Sequence, residues 1–280
     1  MIIRMLTSMA EEPSLPTLYS TSRWIEHFEL NRRRQPVQPW ERGAKLTHAE
    51  RFTVIDSIRQ FQLGESGEGG HIKKCAAAHA KRAGDSDYPA AMHLFIAEEQ
   101  RHSAMLGRYL DLAHESRLTK SKIDGIFRWL RHLMGLELSL IVLSTAEIVA
   151  SIYYRALRDA TECDLLQSIC RRILRDEAAH LAFHRDRFLV LRWRRLLVTR
   201  SILRLIHHGL LMVTLLPVWW CHGRVFRAGG ISFLKLTHDT HCRLHQDLRR
   251  IGLRVRLRKM IGRVIPPSPL ARNSNPHDFI

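Results

Sequence analysis

Glu98-Glu99-Gln100-Arg101-His102 and Asp176-Glu177-Ala178-Ala179-His180 are the two stretches on which the reading of this chain turns. Each supplies Glu-x-x-His, pairing Glu99 with His102 and Glu177 with His180. Residues three apart on an α-helix share a face, one turn displaced, so a carboxylate and an imidazole can reach one metal ion from a single helix. One copy of the motif is weak, because it arises by chance in many helices. Two copies on two predicted helices carry much more.

The flanking sequence predicts helices around both motifs. Thr47-His48-Ala49-Glu50 has the form of a capping box, in which hydroxyl and carboxylate satisfy orphan amides. It opens a helix in which Phe52, Ile55, Ile58 and Leu63 keep helical spacing, expected to run to about residue 82. A second helix, with Pro89 in its first turn, carries Glu99 and His102 to about residue 114. A third should run from near Thr119 to about Asp159, and a fourth over 163–195 holds Glu177 and His180. Two further helices are expected over 197–227 and 231–261, then a Pro-, Ser- and Asn-rich tail from Pro266. Residues 1–46 read as an extended arm with one short helix at 20–31. No repeated strand pattern occurs, so the class is all-α. The expected division is an arm over 1–46, a bundle over 47–195, a basic and partly hydrophobic helical extension over 196–265, and a tail over 266–280.

A bundle holding two metal ions takes one inward Glu from each of its two other helices. The third helix offers Glu147, isolated in an apolar stretch. A lone buried carboxylate costs several kcal/mol unless neutralised or bound to a cation. The first offers Glu68 and, one turn earlier, Glu65. Glu68 precedes Glu99 by 31 residues and Glu147 precedes Glu177 by 30, so the chain reads as two similar helix pairs. Gly64, Gly67, Gly69 and Gly70 crowd this position, at about 1 kcal/mol each in a helix interior. Either the helix breaks there, which puts Glu68 in doubt with Glu65 as the second choice, or bare backbone admits oxygen, a substrate or a close neighbouring helix, or a local bulge forms.

The arrangement resembles the ferritin-like di-iron carboxylate superfamily over about residues 48–195. The resemblance implies a four-helix bundle in which Glu68 (or Glu65), Glu99, His102, Glu147, Glu177 and His180 hold two iron ions, with manganese or a mixed pair as alternatives. It implies that Glu99 and Glu177 bridge the metals and that Glu68 and Glu147 are terminal. Hard carboxylates with imidazoles and no thiolate suit iron or manganese. His71 and His184 stand as a possible third histidine ligand or as core residues, and Asp176 as a support for a ligand imidazole or an exposed charge. Iron storage, peroxidase and radical-generating functions are disfavoured. No cage-forming extension or four-cysteine iron domain is present, and Leu106 stands where a radical tyrosine would be expected.

What the resemblance leaves is an oxidase or monooxygenase that takes dioxygen, a small hydrophobic or aromatic substrate and an electron donor. The alternatives are an RNA-modifying hydroxylase and a non-enzymatic, metal-clipped bundle that docks through its basic C-terminal helices. The formal charge of +17 favours anionic partners such as a membrane surface or nucleic acid. Arginines cluster over 185–204 and again over 249–263. Leu205 to Trp220 is a sixteen-residue apolar run interrupted by His207, His208 and Pro217, and it reads as a membrane-surface contact, a packed helix or an oligomer interface such as a homodimer's. Five cysteines without a C-x-x-C spacing argue against a disulfide framework or a structural zinc site. The start, MIIRMLTSMAEEPS, lacks an adequate apolar stretch for a secretory signal. The expected compartment is cytoplasmic, peripheral to a membrane if the basic helices dock there.

Overall fold

A computed structural model describes residues 20–119, 135–192 and 196–264, with backbone alone over 254–264. The described residues are helical and carry no strand. The third helix, expected from near Thr119, is helical among the described residues only from Leu136, after Gly135 in extended backbone. The tail and the side chains of most of the second arginine cluster lie outside the described residues.

Helix α1 (Thr21–Arg33) is capped by Ser20, whose hydroxyl accepts from the amide of Arg23. It is no detached arm. Trp24 and Phe28 are buried, and Trp24 Nε1 donates to Asp186 at 3.2 Å. Helix α2 (His48–Glu65) opens on the Thr47–Glu50 capping box with both of its reciprocal bonds formed. The long first helix expected from sequence is instead two: α2 ends at Glu65, and α3 (Gly70–Ala83) follows a four-residue break. Gly69 makes the break, because its φ of +62° is left-handed and a Cβ there would run into Ile96. Gly69→Ala should cost about 2–4 kcal/mol, a left-handed penalty plus overpacking. Urea unfolding would show the loss directly, whereas an unchanged midpoint would mean that the break is not fixed by this residue.

Helix α4 (Tyr88–Leu112) places Tyr88, Met92, Phe95, Glu99, His102, Leu106 and Tyr109 at alternating steps of three and four. Helix α5 (Leu136–Asp159) is almost wholly buried. Helix α6 (Asp164–Arg192) repeats the α4 rhythm with Leu166, Cys170, Ile173, Glu177, His180 and His184. That spacing is the core-facing stripe of a helix, so the acids and imidazoles sit in line with the apolar core. Residues 160–163 are the whole link from α5 to α6, which folds α6 back along α5.

Helices α2 and α4 pack together, as do α5 and α6, and α4 meets α6 across the middle. Helices α7 (Leu197–Ala228) and α8 (Phe233–Val264) pack on α5, with α7 also on α2 and α8 on α6. Val225, Phe226, Leu236 and Leu244 belong to the same apolar cluster as Trp24, Phe95 and Ile148. The arm helix and the C-terminal pair thus share one core with the central helices. Gly229, at the end of α7, lies so close to the backbone of Ala156 on α5 that a Cβ has no room.

Candidate metal centre

Four helices bring acids and imidazoles to one buried point between them. Glu65 ends α2, Glu99 and His102 come from α4, Glu147 from α5, and Glu177 and His180 from α6. They form two donor groups, each within 4.8 Å: Glu65, His102 and Glu177, and Glu99, Glu147, Glu177 and His180. Glu177 belongs to both. Glu99 Oε1 faces both imidazoles, 2.9 Å from His180 Nδ1 and 3.7 Å from His102 Nδ1. Glu147 Oε2 lies 3.6 Å from His180 Nδ1, and Glu147 Oε1 lies 3.6 Å from His184 Nε2.

Proximity here is not hydrogen bonding. Glu99 Oε1, both oxygens of Glu177, and Nδ1 of His102 and of His180 are buried without a hydrogen-bond partner among the described residues. Orphaned buried polar atoms are rare, and several facing a common point need an explanation. Four carboxylates and two imidazoles with free lone pairs suit a divalent cation, and the absence of thiolate favours a hard one. The residues fit a metal centre.

The electrostatics agree. Burial, then the neighbouring Glu99, pushes the Glu65 carboxyl well above its ordinary range. Burial, then Glu147, raises Glu99 and carries Glu177 well above. Burial would also raise Glu147, but the polar groups of Glu177, His180 and His184 that face it carry it well below. His180 is raised against the effect of burial by Glu99, Glu147 and Glu177. Protons shared among crowded acids are what a bound cation would displace.

Behind the imidazoles lies a second network that sequence reading largely missed. His102 Nε2 meets Asp176 Oδ2 at 3.0 Å, and His180 Nε2 meets Glu98 Oε2 at 3.1 Å. Each imidazole is therefore held by the acid preceding the Glu of the opposite motif, which leaves Nδ1 to face the centre. Asn31 of α1 donates to both acids, Arg101 pairs with Glu98, and Arg172 donates to Asp176 at 2.9 Å and to Asn31 Oδ1. The doublets Glu98-Glu99 and Asp176-Glu177 were the signal for this crosswise pairing. Nothing in sequence marked Asn31, which lies within the apparent arm. Asp176→Asn or Glu98→Gln removes no donor to the centre, yet each should weaken metal binding about 10–100-fold by releasing its imidazole. Competition with a chromogenic chelator measures this, and wild-type affinity in both variants would contradict it.

The remaining candidates separate. Glu68, preferred from sequence, is exposed in the α2–α3 break and joins neither donor group. The helix ends three residues too early to carry it inward, and Glu65 takes the position. Tyr154 Oη donates to Glu65 Oε1 at 2.9 Å and so orients that carboxylate. His71, at the start of α3, lies beside Cys75 rather than the centre. His184 is fully buried next to Glu147, with neither ring nitrogen hydrogen-bonded among the described residues, but it stands outside both donor groups.

Two of the aromatic rings around His180 are Phe28 and Phe95, their centroids 6.3 and 4.8 Å from the imidazole. Compared with family models, curated proteins and solved structures, the chain finds no match. What places it is its own geometry: an all-helical chain with a buried carboxylate and histidine cluster able to hold metal.

Proposed function

We propose that this chain is a ferritin-like di-iron protein that activates dioxygen to oxidise a small apolar substrate. The observation that carries the reading is the doubled donor set. Glu177 is common to two groups, each with its own imidazole, and every imidazole turns Nδ1 inward because an acid holds its Nε2. One metal ion needs no such duplication. Glu65, His102 and Glu177 would hold one iron, and Glu99, Glu147, Glu177 and His180 the other, with Glu99 reaching toward both.

Iron held there by these residues would supply the redox chemistry toward dioxygen. The chain's own part is placement and shielding. Phe28, Phe95 and Phe183 close one side and keep water from the centre. Tyr154 steadies Glu65, and Asp176, kept ionised by hydrogen bonds from His102 and Asn31 and by Arg172, fixes the tautomer of His102. The buried apolar surroundings favour a hydrophobic or aromatic substrate over a polar one.

The test is to load the purified protein with ferrous iron without air, then mix it with oxygenated buffer while following absorption and oxygen consumption. The expected result is about two irons per chain and an oxygen-dependent near-ultraviolet or visible band, both lost in Glu147→Ala. Tightly bound iron that ignores oxygen would contradict the oxidase reading and leave a structural metal clip.

A further inference from the structure

Helix α7 presents an apolar stripe that no described residue covers, running about 33 Å from Val198 to Trp220. Leu203, His207, Leu211, Leu215, Val225 and Phe226 form its inward face. On the other side Val198, Ile202, Leu205, Val213, Leu216 and Trp220 recur at helical spacing, with Gly209 completing the row. These six are 53–89% exposed, with Trp220 the most. Single exposed apolar residues are ordinary, but a continuous row of this length marks an interaction site.

Among the described residues two helices are apolar and long enough to cross a membrane, and burial separates them. The most apolar stretch of α5 is 78% buried, as befits a core helix, against 28% for that of α7. Helix α7 is nevertheless fixed to the body along its inward face, where His222 Nδ1 lies 2.7 Å from Ser57 Oγ. Only one face is free to meet a partner.

Charge decides what the partner is. Between Asp186 and Asp239 the chain has 52 residues without one Asp or Glu, and among them are nine Arg and Lys. On α7 itself Arg204, Arg224 and Arg227 are exposed. A second copy of this face would bring the same cations together with no acid on the helix to pair them. A nucleic acid would meet the cations but not an aliphatic row, which offers bases little to stack on. An anionic bilayer satisfies both features: the row enters the boundary between headgroups and acyl chains while the arginines reach the lipid phosphates.

We propose that α7 docks the protein on an anionic membrane surface, lying in the interface with Val198, Leu205, Val213, Leu216 and Trp220 toward the lipid. The inference does not depend on the metal reading. The probe is a set of phosphatidylcholine vesicles with and without phosphatidylglycerol, mixed with the full chain and sedimented. The expected result is co-sedimentation with the anionic vesicles, weakened by salt, and a blue shift of tryptophan emission that disappears in Trp220→Phe. Val213→Glu with Leu216→Glu should lower partitioning at least about 10-fold while circular dichroism stays unchanged, because both positions are exposed. Any of three outcomes overturns the proposal: no sedimentation with either vesicle, equal binding to both compositions, or a dimer in solution that Val213→Glu dissociates.

Discussion

Glu177→Gln should leave the chain folded and unable to hold two metal ions. The substitution keeps volume and shape and removes one charge. Glu177 is the one residue common to both donor groups, and both of its oxygens lack hydrogen-bond partners among the described residues. Its loss therefore weakens two positions together, by more than the roughly 10–100-fold expected when an outer support is lost. Ferrous iron retained after gel filtration should fall from about two per chain to below one. The metal-free variant should be no less stable than the metal-free wild type, since it lacks a buried carboxyl beside Glu147. Glu68→Ala is the matched control and should load as wild type, because Glu68 is exposed in the break. Equal loss in both variants would place the iron elsewhere.

The second large effect is a stabilisation by metal that grows with pH. Glu65, Glu99 and Glu177 carry folded pKa values above the ordinary 4.5, through burial first and neighbouring carboxylates second. Such groups contribute stability that is full below the unfolded pKa and is lost as pH rises through the folded one. His180, raised above 6.5 by Glu99, Glu147 and Glu177 despite burial, acts in the same direction. Glu98 and Asp176 are depressed by their hydrogen bonds and Glu147 by the imidazoles of His180 and His184 that face it, so their contribution is present above the ordinary carboxylate range and is lost only in stronger acid. Between about pH 5 and 8 the raised groups lose their contribution as pH increases. His207 and His222, lowered to about 3 and about 4 by burial, act in the opposite sense in loaded and metal-free protein alike and cancel in the difference between them. Metal takes the place of the protons, so binding strengthens over the same interval. The difference in Tm between loaded and metal-free protein should therefore widen with pH. Thermal melts with and without ferrous iron or manganese at several pH values would measure it, and a constant difference would mean that the acids do not release protons to metal.

The α4 and α6 parts of the centre were legible because Glu-x-x-His is a local pattern set by helical geometry. Glu147 was legible for a different reason: a charge inside an apolar helix demands compensation. Glu65 against Glu68 was not decidable from spacing. The choice depends on where α2 ends, and that is fixed by a left-handed Gly69 packed on Ile96, a contact between distant parts of the chain. Asn31 was invisible for the same cause, since its role exists only once α1 lies across α4 and reaches Glu98 and Asp176. The helical class and most boundaries followed from periodicity and caps. The proposed division into arm, bundle and extension did not anticipate that α1, α7 and α8 would share the central core, because amphipathic patterning says which face is buried and not against what.

The central claim is a two-metal centre at Glu65, Glu99, His102, Glu147, Glu177 and His180. Anomalous diffraction at the iron edge, from crystals of protein loaded with ferrous iron, tests it most directly. The account predicts two iron peaks between α2, α4, α5 and α6, with Glu177 reaching both and Glu68 reaching neither. A single peak, or iron bound only at surface histidines, would contradict it.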